Sequence, residues 1–88
     1  MAELNILQDT TWTGTVDITG KTVQVAEGVK LTISNGTTVN GGRIDVWGSL
    51  VVDGATNSLV NLNDVEINIG ERDSSKAANI DIHFAHIQ

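Results

Sequence analysis

The sequence predicts an all-β chain wound as a parallel β-solenoid, and three observations carry that prediction. Apolar and polar residues alternate in runs of three to five, each bounded by Gly, Asn, Asp or Ser, which is the period of a strand with one buried face. The runs recur at a spacing near 21 residues, so the chain offers the same inward face repeatedly. The apolar content is almost wholly Val, Ile, Leu and Ala, with Trp12, Trp47 and Phe84 the three aromatics, which suits a narrow aliphatic column.

Taken in order, residues 1–14 read as an N-terminal cap, with Leu4, Ile6, Leu7 and Trp12 laid as an apolar edge over the first coil. Within it "AELNILQ" fits one or two helical turns, because Leu4 and Leu7 are three apart, or else another strand. Residues 15–88 read as about three to four coils. "TVDIT" puts Val16 and Ile18 on one face, "TVQVA" Val23 and Val25, and "KLTIS" Leu31 and Ile33. "RIDVW" follows with Ile44 and Val46, then "SLVVD" with Leu50 and Val52, and "LVNLN" with Val60 and Leu62. "VEINI" contributes Val65, Ile67 and Ile69, and "NIDIHF" contributes Ile80, Ile82 and Phe84. Gly20, Gly28, Gly36, Gly41, Gly42, Gly48, Gly54 and Gly70 fall between the runs, where a coil turns its corners.

A frame of 21 residues carries Val23 and Val25 onto Ile44 and Val46, and onward onto Val65 and Ile67. It carries Thr38-Val39-Asn40 onto Leu59-Val60-Asn61. Leu31 and Ile33 reach Leu50 and Val52 with a slip of two, and Val60-Asn61-Leu62 reach Ile82-His83-Phe84 with a slip of one. Constant strands joined by variable corners are what three short faces per turn produce. The competing arrangement is an antiparallel sandwich, for which "SNGT" at Ser34–Thr37 would supply an Asn-Gly hairpin. Its strands would be unusually short and its core would lack large aromatics.

Composition excludes several function classes. The 88 residues make one small domain. There is no cysteine, and hence neither a disulfide nor a thiolate metal site. The net charge of −6, with five scattered basic residues, argues against nucleic acid as a partner. No run approaches the roughly 18 apolar residues of a membrane span. "MAELNILQDTTW" has no basic region leading into an apolar run, so it does not read as a conventional secretory signal. No phosphate-cradling loop is present: "NGG" before Arg43 lacks the Gly-Lys-Ser/Thr ending, and no cofactor is expected.

The phrase "VQVAEGVKLTISNGTTVNGGRIDVWGSLVVDGA" resembles the first coils of right-handed parallel β-helix proteins, the pectin-lyase-like superfamily. The likeness runs from about Val16 to Val60 and continues more loosely to Phe84. It implies the N-terminal coils of a bacterial surface or polysaccharide-active protein, and an extracellular or cell-surface location. It implies little about activity, because lyases, hydrolases, epimerases, adhesins and phage spikes share the fold.

Outward positions stack rung on rung at about 4.8 Å, so the same frame predicts surface rows. Gln24, Asp45 and Glu66 would form one row, and the adjacent carboxylates Asp45 and Glu66 are the nearest approach to a metal site. With no basic residue in that row, a solvated acidic face is the simpler reading. Asn40 and Asn61 would form a second row, with Asp81 or His83 above, and Asn ladders of this kind are structural. Asp81, His83 and His86 are the one acid–base cluster, without a Ser or Cys nucleophile motif, and no catalytic residue is assigned. Regular Thr-x-Thr rows of the ice-binding kind are missing, since Thr13-x-Thr15 does not recur one coil later.

"NIDIHFAHIQ" stops inside an alternating run, so the coils are expected to be truncated there, leaving an open apolar edge of Ile80, Ile82, Phe84 and Ile87. The expected function is a non-catalytic, self-associating structural module of a larger surface protein. The alternatives are the N-terminal part of a carbohydrate-active enzyme, acting on a polysaccharide through later coils, and a phage spike fragment.

Overall fold

The structure, a computed structural model, describes residues 2–69, 79–83 and 85–87. Within them lie strands β1 (Ala2–Ile6), β2 (Thr10–Trp12), β3 (Thr15–Asp17), β4 (Lys21–Val25), β5 (Lys30–Ser34) and β6 (Thr38–Asn40). The path continues through β7 (Arg43–Val46), β8 (Ser49–Asp53), β9 (Val60–Asn63), β10 (Glu66–Ile69), β11 (Asn79–His83) and β12 (Ala85–Ile87). Every third strand pairs in parallel. The result is three four-stranded sheets: β1-β4-β7-β10 (first), β2-β5-β8-β11 (second) and β3-β6-β9-β12 (third). The chain is therefore an all-β parallel solenoid, with no helix among the described residues.

The alternation explains the column. Most strands send one or two aliphatic side chains inward, and stacking brings them into register: Val23 on Ile44, Leu31 on Leu50, Ile33 on Val52, Val39 on Leu62. Those eight residues are fully buried. At about 25 cal/mol per Å² of apolar surface, such side chains each contribute roughly 1.5–3 kcal/mol, and no rung can gain this alone.

The corner at Gly48 is closed by backbone contacts too tight for a side chain. At Gly48 a Cβ would stand 2.2 Å from the Val29 carbonyl oxygen and 2.3 Å from that of Ala26. The corner at Ser34–Thr37 decides against the hairpin reading. Thr37 N–H does donate to the Ser34 carbonyl (3.2 Å), but Gly36 alone has positive φ (77°), whereas a two-residue I′ hairpin needs it at both central positions. The chain turns aside there, and β5 and β6 enter different sheets. Thr37, buried in that corner, donates to the Trp12 carbonyl (3.2 Å), as does Ser34 (3.0 Å), tying it to the coil below.

Three expectations are decided by the register. First, the "AELNI" of "AELNILQ" is strand and not helix: β1 and β2 are outermost in two of the sheets. Leu4 and Ile6 stand under Val23 and Val25, so their spacing serves a strand. Secondly, the 21-residue frame holds from β4 to β7 and fails beyond it. The pairs are Val39↔Leu62, Asn40↔Asn63, Ile44↔Ile67 and Val46↔Ile69, each 23 apart. Relative to the coil before, the corner after β7 is two residues shorter and that after β8 four longer. The longer one folds its surplus into a small turn, in which Ala55 and Ser58 exchange backbone hydrogen bonds (3.0 and 2.9 Å). The expected Leu31–Leu50 slip is the first of these changes. Thirdly, Val60 and Leu62 pair with Ala85 and Ile87, while Ile82 stacks on Val52 in another sheet.

Candidate functional site

The corrected register redistributes the surface rows. On the outer face of the first sheet, Gln24 does stack on Asp45, but the residue above Asp45 is Asn68, and Glu66 stands over Arg43. Arg43 Nε donates to Asp45 Oδ1 at 2.8 Å. That bond, with the Asp45 charge, raises the guanidinium's already high pKa. Asn68 Nδ2 donates both to Asp45 Oδ1 (3.3 Å) and to Glu66 Oε2 (2.9 Å). The two carboxylates nominated for a cation are thus joined through an amide, with a guanidinium on one of them. Among the described residues no group of three or more His, Cys, Asp or Glu side chains gathers as a metal site would require.

The Asn ladder exists one step away from the expected place. Asn63 Nδ2 donates to Asn40 Oδ1 at 3.0 Å, while Asn61 stacks on Thr38 and carries His86 above it. Asp17 lies under Asn40. Its carboxylate accepts from Thr19 Oγ1 (2.6 Å) and Thr19 N–H (3.0 Å), which hold its pKa below the usual value. The ladder was findable by aligning "VNGGRIDV" with "LNDVEINI" on their Asn, instead of counting 21 residues.

The acid–base cluster is divided. Asp81 stacks on Val51 in the second sheet and His86 on Asn61 in the third, so the two occupy different faces. His83 pairs in register with Asp53.

The outermost described strands β10, β11 and β12 carry exposed apolar side chains. Ile82 is 40% exposed, Ile87 57% and Ile69 52%, although the residues beneath them (Val52, Leu62 and Val46) are wholly buried. Ile80, over Leu50, is half-buried. Phe84 lies outside the described residues. Ile69, over the buried Val46, belongs to this edge beside the residues expected there. The opposite end is likewise apolar: Leu4 is 42% exposed, and an open groove runs from it past Leu7 to Trp12. Comparison of the chain with models of protein families, with curated proteins and with solved structures gives no match.

Proposed function

We propose that this chain is a non-catalytic structural module, akin to the N-terminal coils of pectin-lyase-like surface proteins, that self-associates through the rung formed by β10, β11 and β12. One observation carries the reading: Ile69, Ile82 and Ile87 continue sealed columns and are themselves 40–57% exposed. An apolar column end beside three strand edges that carry no further strand among the described residues invites another chain. Burying ~300 Å² of apolar surface there offers about 7 kcal/mol at 25 cal/mol per Å², before association entropy is subtracted. Backbone pairing along the edges adds to it.

Sedimentation equilibrium tests the proposal. Mass should rise with concentration for the native chain, and Ile82→Lys, which puts a charge in the column, should stay monomeric with unchanged circular dichroism. Asp81→Lys, on the outer face, serves as a folding control and should still associate. A native chain that remains monomeric at the highest concentration, or an Ile82→Lys chain that associates like the native one, overturns the reading.

A further inference from the structure

We infer that the partner of the open rung is the first rung of a second copy, so that assembly is head-to-tail and open-ended. The inference rests on the self-association proposed above and adds the partner surface and its register. All strands within each sheet run parallel. A copy shifted along the solenoid axis therefore continues parallel pairing in all three sheets at once. A two-fold, tail-to-tail contact would reverse the order in which the sheets follow one another, so only one sheet could meet its own kind.

Composing the observed registers gives the contacts. The second copy's Leu4, Trp12 and Val16 would land on Ile67, Ile82 and Ile87, one pair per sheet, extending columns already four residues deep. The first rung fits because it repeats the pattern of the coils above it: Leu4-x-Ile6 is the equivalent of Val23-x-Val25. A coil of 21 residues, the separation of Val23 and Ile44, also matches the roughly twenty to thirty residues a side of a stable interface. A heterologous contact of this kind that does not close by rotation yields a filament. Its rise would be about 19 Å per copy, four rungs of ~4.8 Å.

On the outer faces the register pairs Thr11 with Asp81, and Glu3 with Glu66. The second pair is a like-charge contact that only this arrangement creates.

Two experiments on the 88-residue chain, which has no cysteine of its own, separate the outcomes. The double variant Thr11→Cys/Asp81→Cys should oxidise to a ladder of dimers, trimers and higher species on a non-reducing gel, and Asp81→Cys alone should not. Efficient dimers from Asp81→Cys alone, with no ladder from the double variant, would mean tail-to-tail contact; the inference would fail while self-association stood. A strictly monomeric native chain would remove both. Independently, Glu3→Lys should tighten association roughly threefold to tenfold by turning repulsion of Glu66 into attraction. Unchanged or weaker association of Glu3→Lys sinks the register.

Discussion

Val52 and Ile82 stand in one column a single rung apart, and so do Leu62 and Ile87. The lower member of each pair is sealed; the upper is 40% exposed in one case and 57% in the other. Both members of each pair are branched aliphatics in one sheet with the same direction, so the difference is due to what lies above. In a globular core, burial is secured from several sides. In a solenoid each rung is covered by the next, and an identical side chain is core or edge according to its neighbour.

The largest effect should come from the corners that hold the inner rungs together. Gly48→Ala would drive a Cβ into two carbonyl oxygens, neither of which belongs to a flexible side chain. It should cost about 4 kcal/mol, read as a lowered urea midpoint. A near-neutral result would show that the corners yield and that the columns alone fix the coil.

Next comes the direct contrast between the regions. Leu50→Ala, in a sealed position, should lose about 3 kcal/mol, whereas Ile69→Ala, half in solvent, should lose about 1 kcal/mol or less under monomeric conditions. Equal losses in parallel denaturation curves would abolish the distinction between inner and outer rungs.

The smallest effect sharpens it. Asp64 (φ 55°) occupies the corner position that Gly41 (φ 69°) holds one coil earlier, since each follows a paired Asn. Asp tolerates this conformation less well than Gly. Asp64→Gly should therefore stabilise the last coil by about 0.5–1 kcal/mol, seen as a slightly raised Tm. A lowered Tm would mean that the Asp64 side chain contributes more than its backbone strain costs.

These contrasts also explain which features could be read from the residues. Alternation identifies eight strands, because a strand with one buried face must alternate. β1 and β2 are harder to read as strands, since Leu4-Asn5-Ile6-Leu7 breaks the alternation at its end. The polar rows were misassigned beyond Val46 for a different reason. A corner makes no demand on the count of its residues, so the coil lengthened from 21 to 23 without disturbing any strand. Side-chain rows inherit that shift in full: Glu66 moved from Asp45 to Arg43, and Asn61 from Asn40 to Thr38. Ile80, Ile82 and Ile87 lie on the outermost described strands β11 and β12 whichever frame is used.

The parallel ladders also dictate how the chain must fold. The shortest pairings, such as Ala2 with Lys21 and Lys30 with Ser49, join residues 19 apart, and the longest, Ser49 with Asn79, 30. A single coil thus holds no ladder hydrogen bond of its own, and one complete turn must close before the first is made. The entropy of closing that first loop falls almost entirely on the nucleus. Every later coil condenses on a finished template, so folding is a slow start followed by fast growth, and unravelling begins with whichever rung is outermost.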